Sequence, residues 1–154
     1  ESDEEVKAIQ QIVAELVGQT LQEAGKPSRM LSKDDILVVA PFNLQVRKLK
    51  TALPGVRVGT VDKFQGQQAP VVIFSMTASN GDASPRGIEF LFDKNRLNVA
   101  ISRAQILAVV VASPKLERTP CLRLEQMPLV NLFCRAAYEG TKHFAYGGAG
   151  LRVA

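Results

Sequence analysis

Residues 36–45 read Ile36-Leu37-Val38-Val39-Ala40-Pro41-Phe42-Asn43-Leu44-Gln45. Five apolar side chains in a row, closed by proline, are the pattern of a strand buried on both faces. Such strands occur where helices cover both sides of a mainly parallel sheet. Downstream, Asn43 is placed to cap a helix over residues 43–53, with Leu44, Val46, Leu49 and Leu53 facing in, Arg47, Lys48 and Lys50 facing out, and Pro54-Gly55 as the stop. Upstream, Val6, Ile9, Val13, Leu16, Val17 and Leu21 keep helical spacing, which predicts a helix over residues 4–24. Ser2 with Glu5 has the capping-box pattern, Gly25 and Pro27 form the stop, and residues 26–35 read as a polar loop.

Further strands are expected at residues 56–61, 70–78 and 106–112, and helices at 94–104 and 127–139, with a polar loop at 79–86. Alternating strands and helices define an α/β layered domain with a mainly parallel sheet and helices on both faces. In such sheets ligands meet the carboxyl ends of the strands, here the loops after Ala40, after Val61 and before Lys94. The expected organisation is one domain over residues 1–142 and a flexible, glycine-rich tail over 143–154.

A chain of 154 residues with 46% hydrophobic and 22% charged residues has enough apolar material for one domain with a core, and disorder is excluded as its dominant state. Its longest apolar runs are strand-sized, far below the ~18 residues a bilayer span needs, so no membrane partner is expected. Cys121, Cys134 and the single His143 lack metal-ligand spacing, so no metal site is expected, and reduced thiols point to the cytoplasm. The first residue is Glu1 rather than Met, the expectation for a piece of a longer polypeptide. The net charge of +4 is uneven: residues 1–25 carry six acids against one lysine, whereas residues 26–154 carry eighteen bases against nine acids. A basic body favours polyanionic partners.

No phosphate-binding loop is present: Gly25-Lys26-Pro27-Ser28 lacks the upstream glycine, follows a helix, and has proline where Ser or Thr belongs. Asp34-Asp35 precedes the first strand, at the wrong end of the sheet for holding magnesium, and no Ser-His-Asp set can be assembled. The chain can touch a phosphate but cannot run a hydrolysis alone. Two segments carry the remaining chemistry. Gly59-Thr60-Val61-Asp62-Lys63-Phe64-Gln65-Gly66-Gln67-Gln68 leaves a strand and breaks into polar residues around a glycine; it reads either as an ordinary turn or as a loop offering backbone N–H groups to phosphate. Asn95-Arg96-Leu97-Asn98-Val99-Ala100-Ile101-Ser102-Arg103-Ala104 places Arg96 and Arg103 seven residues apart on one helical stripe, suited either to phosphate or to structural salt bridges.

Taken together and in order, residues 40–45, "TVDKFQGQ" at 60–67 and "NRLNVAISRA" at 95–104 resemble motifs IV, V and VI of superfamily 1 helicases. The resemblance covers residues 30–114 and is strongest to the group containing senataxin and the nonsense-mediated decay helicase, in particular to bacterial members fused to a RecB-like nuclease. It implies the second, C-terminal RecA-like domain of a two-domain motor, for which a missing phosphate loop is expected. ATP and Mg2+ would be seated mainly by the first RecA-like domain of the same chain, a bacterial cytoplasmic or nucleoid setting follows, and a fused nuclease domain is a further expected partner.

Carried over by residue, the resemblance makes Arg103 the arginine finger, with Arg47 its candidate basic companion because Val46 rather than a base follows Gln45. Gly66, Gln68, Gln45 and Arg96 become nucleotide-binding, and Thr60, Gln65 and Lys63 grip single-stranded nucleic acid, DNA favoured over RNA. Gln68 stands where the family usually has Glu, and Gln105 where a second base often follows the finger. The alternative is a non-catalytic, flavodoxin-like module binding nucleic acid or protein, which has no need of Arg103 at a cleft.

Overall fold

The computed structural model describes residues 2–23, 25–64, 66–77, 98–99, 101–113, 127, 141–144 and 150–153. Its centre is the stretch the sequence marks out: β3 (Ile36–Val39) is buried along its whole length. It pairs in parallel with β4 (Arg57–Gly59) on one side and β5 (Ala69–Ser75) on the other. β6 (Ala104–Val111) extends the parallel set beyond β5. The order β4-β3-β5-β6 is continued by β8 (Gly150–Val153) and β7 (Thr141–Phe144), both antiparallel to their neighbours. The mostly parallel α/β sheet is consistent with a RecA-like fold. The last part of the chain thus supplies two strands to the sheet edge.

Alternation along each strand separates two cores. On the first face Ile36, Val38, Val71, Ile73, Val109 and Val111 pack beneath α1 (Asp3–Leu16) and α2 (Asn43–Ala52), which contribute Val6, Ile9, Val13, Val46 and Leu49. On the second face Leu37, Val39, Val72 and Phe74 meet Val61 and Phe64, with Val99 and Ile101 packed against them. β6 is less enclosed than β3: Val109 and Val111 are buried, but Gln105 and Ile106 are exposed.

Several expectations are corrected. Helix α1 stops at Leu16, not at residue 24. Gly18 turns the chain with φ +90, its N–H bonds Leu31 O at 2.9 Å, and β1 (Thr20–Leu21) pairs antiparallel with β2 (Arg29–Met30). Leu21 is nevertheless buried in the first core, so its spacing reported burial correctly while its element was a hairpin. The cap of α2 is Phe42, without a side-chain bond, and Asn43 is the first helical residue. The strand expected at 56–61 is shortened because Thr60 O accepts the Lys63 N–H and starts a 3-10 turn at Asp62–Phe64. In the expected helix 94–104, residues 98, 99 and 101 are helical; a turn at 102–103 follows and Ala104 begins β6. Residues 94–97 and the loop at 79–86 lie outside the described residues, as does the helix at 127–139 apart from Met127.

Candidate nucleotide and nucleic-acid interface

The segment from Thr60 to Gln68 crosses the second face of the sheet, from the carboxyl end of β4 to the amino end of β5. Thr60 is half-buried at its start and Lys63 is exposed, with its ammonium 5.8 Å from the centre of the Phe64 ring. Gly66 is exposed and holds φ +79, a conformation that L side chains rarely adopt and that glycine takes freely. Gln65 lies outside the described residues. The turn is closed by Gln67 N–H on Phe64 O at 3.0 Å.

Arg103 sits in the turn before β6, so parallel pairing sets it beside the far end of this segment. Ala69 N–H bonds Arg103 O at 3.1 Å, and Arg103 Nη1 donates to Gln67 O at 3.4 Å. Beside them Gln105 Nε2 donates to Gln68 Oε1 at 3.4 Å. Gln68 and Gln105, two of the positions that depart from the pattern the sequence resembles, therefore face one another as a neutral amide pair. The register between β5 and β6 shifts here, with Ala69 opposite Ala104 but Val71 opposite Leu107. That extra residue on β6 disturbs the ladder beside Arg103, a device that re-aims side chains near sites.

The guanidinium of Arg103 is incompletely used. It is half-buried, its Nε is buried without a hydrogen-bond partner among the described residues, and its bond to Gln67 O is at the long limit. A guanidinium has five donors in a rigid fork, so this one keeps capacity for an incoming phosphate or carboxylate. Among the described residues no three His, Cys, Asp or Glu side chains gather to hold a metal.

The remaining expected site residues are not brought to Arg103. Arg47 is exposed on α2, which starts from the carboxyl end of β3, whereas Arg103 lies at the amino end of β6. Gln45 is wholly buried: its Oε1 accepts the Ser2 N–H at 3.0 Å, and its Nε2 donates to Ser2 O at 3.1 Å and reaches Ser75 Oγ at 3.4 Å. With its amide so committed, Gln45 is a tie between α1, α2 and β5, and the expected nucleotide contact does not fit its surroundings. Arg96 lies outside the described residues.

Sequence reasoning missed the group around that tie. Glu5 is buried, and its Oε2 accepts from Ser75 Oγ at 2.6 Å and from Thr77 N–H at 2.9 Å. Thr77, two residues beyond β5, has φ +62, which is costly for a β-branched residue. In the sequence the Ser2-Glu5 pair carries only a capping-box pattern. In the structure only its Ser2 half forms, with Ser2 Oγ accepting the Glu5 N–H at 3.2 Å. Asp35, at the other end of the sheet, is taken by a fork of two 2.7 Å bonds from Arg29 and by Ser32 N–H and Oγ at 2.8 Å. The Arg29 hydrogen bonds, with those from Ser32, hold its carboxyl well below the usual carboxylate range.

A family model described as an AAA domain matches residues 1–115 of the 154. The chain belongs to that family, and its relatives make it a superfamily 1 helicase-like domain. It is 37% identical over 103 residues to mouse RNA helicase Mov10l1, covering 61% of this chain and 9% of that protein. It is 42% identical over 87 residues to the Schizosaccharomyces pombe DNA polymerase alpha-associated DNA helicase A, covering 54% of this chain and 12% of that protein. To the Arabidopsis thaliana DNA replication ATP-dependent helicase/nuclease JHS1 it is 31% identical over 130 residues, 79% of this chain and 9% of that protein. The chain therefore spans only about a tenth of the curated relatives it matches.

Proposed function

We propose that this chain is the second, C-terminal RecA-like domain of an ATP-dependent superfamily 1 helicase, and that Arg103 is its arginine finger. The observation that carries the reading is the state of Arg103: its main-chain O is fixed by the Ala69 N–H, while its guanidinium makes one long bond to Gln67 O and, among the described residues, leaves its Nε without a partner. Arg29, by contrast, commits both terminal nitrogens to carboxylates, forking onto Asp35 with Glu23 as a second acceptor. The flavodoxin-like alternative gives no reason to leave such a group underused.

In this reading a first RecA-like domain of the same polypeptide seats ATP and Mg2+. When the cleft between the domains closes, Arg103 meets the γ-phosphate and stabilises the charge spread over its oxygens during transfer. Gly66 allows close approach at the motif V turn, and Gln68 offers an uncharged acceptor to the nucleotide, with Arg96 as a further cation. Thr60, Lys63 and Gln65 hold the backbone of single-stranded nucleic acid without reading its bases, a sequence-independent grip. Arg47 enters only as an exposed cation towards polyanion, on the side of α2. DNA is favoured over RNA, although relatives named for each occur, and one relative named a helicase/nuclease supports an adjoining nuclease domain.

The test is Arg103→Ala in the whole protein. Strand-stimulated ATP turnover should fall by roughly 10³-fold or more, with nucleotide affinity changed only a few-fold. Turnover that survives while ATP affinity collapses would refute the finger assignment.

A further inference from the structure

Gly59 ends β4, and nothing about its backbone demands glycine: its φ lies outside the left-handed region. Its demand is for space. A Cβ built there would lie 2.7 Å from Phe64 Cε2, 3.0 Å from Phe64 Cζ and 2.9 Å from Lys63 Cδ. Gly59 O also accepts the Ala40 N–H at 3.1 Å, which fixes this strand end to β3 and leaves it little freedom to retreat. Phe64 is buried in the second core, so its ring cannot swing away cheaply. The stem of Lys63 therefore lies across the bare α-carbon of Gly59 while its ammonium remains exposed near the Phe64 ring.

A free lysine pays rotamer entropy when it is immobilised on a ligand. A lysine whose stem is already packed pays less and presents its charge from a defined place. We propose that Gly59 is a positioning residue for nucleic-acid binding: the absence of its side chain is the space that holds Lys63 ready as a phosphate contact. This rests on the reading of residues 60–65 as a single-strand grip, and extends it to a residue that touches no ligand.

The experiment measures binding of a fluorescein-labelled oligothymidylate by the whole protein, across a salt series, for Gly59→Ala, Lys63→Gln and the double variant. Lys63→Gln should weaken binding and reduce the slope of log K against log salt by about 0.7, the value for one lost phosphate contact on a single strand. Gly59→Ala should weaken binding roughly two- to tenfold, the scale of re-ordering one long side chain, and should add nothing in the Lys63→Gln background. If Gly59→Ala does not fold, Phe64→Leu replaces it, removing the ring under the same stem, with the same dependence on Lys63 expected. If Lys63→Gln leaves affinity and slope unchanged, the grip assigned to Lys63 falls and the proposal with it. If Lys63→Gln weakens binding but Gly59→Ala does not, or weakens it equally in both backgrounds, Gly59 is structural only and the proposal alone is overturned. A wild-type protein that does not bind the oligonucleotide sinks the functional reading itself.

Discussion

Gly59, at the end of β4, and Gly66, in the turn that follows, need glycine for different reasons. At Gly66 a Cβ would meet nothing within 4 Å, and only φ +79 is restrictive; at Gly59 the backbone is ordinary and the neighbours are too close. The same scale clarifies the Gln68–Gln105 amide pair. A glutamate at 68 would still accept from Gln105 Nε2, so the geometry can be kept while charge is added. Gln68→Glu in the whole protein should keep the thermal midpoint within a few degrees and lower the KM for ATP if residue 68 faces nucleotide. A large fall in the midpoint would instead assign Gln68 to the fold. Stability and steady-state kinetics on one preparation distinguish the two.

At the scale of elements, the amino end of β3 depends on the hairpin β1–β2. Arg29 on β2 forks onto Asp35, which closes the 3-10 turn leading into β3, and Glu23 adds a second contact to Arg29 at 3.2 Å. The Asp35 carboxyl is lowered in the folded protein, so the unfolded chain takes up its proton first as pH falls. Its stabilisation is therefore complete above the ordinary carboxylate range and is lost as pH drops through that range towards the lowered value. Asp35→Asn should cost about 1–2 kcal/mol near neutral pH, with Arg29 half-exposed and its attraction screened accordingly. It should also flatten the acid side of the stability-against-pH curve. Urea unfolding at several pH values measures both, and an unchanged acid limb would contradict the role given to this pair. The carboxyl end of β5 is organised in a similar way by a buried group from α1, where Glu5 fixes Thr77 in its left-handed backbone.

For the whole molecule, the proposed function requires catalysis shared between domains, because the sequence holds no phosphate loop. The isolated 154-residue chain should show no ATP hydrolysis above background, with or without single-stranded DNA, in a phosphate-release assay. Robust turnover would contradict that division of labour. Among the described residues no helix is long and apolar enough to cross a membrane, in line with the short apolar runs of the sequence.

The buried strands and their parallel arrangement were legible in the chain itself, because burial imposes a repeat of two or of three to four residues on any continuous segment. Ile36–Val39 carries that imprint on both faces. Only the tertiary structure decided that Leu21 is buried by a hairpin rather than a helix, that Gln45 is consumed by Ser2 and Ser75, and that Glu5 serves β5. It also decided that Gln68 meets Gln105, and that Gly59 is bare because Phe64 and Lys63 fold over it. These outcomes depend on which distant group takes a hydrogen bond or fills a space. Gln45 lies 43 residues from Ser2, and Thr77 lies 72 from Glu5. A local pattern records how deeply a side chain is buried, but the partner it meets there is set by the folding of the rest of the chain around it.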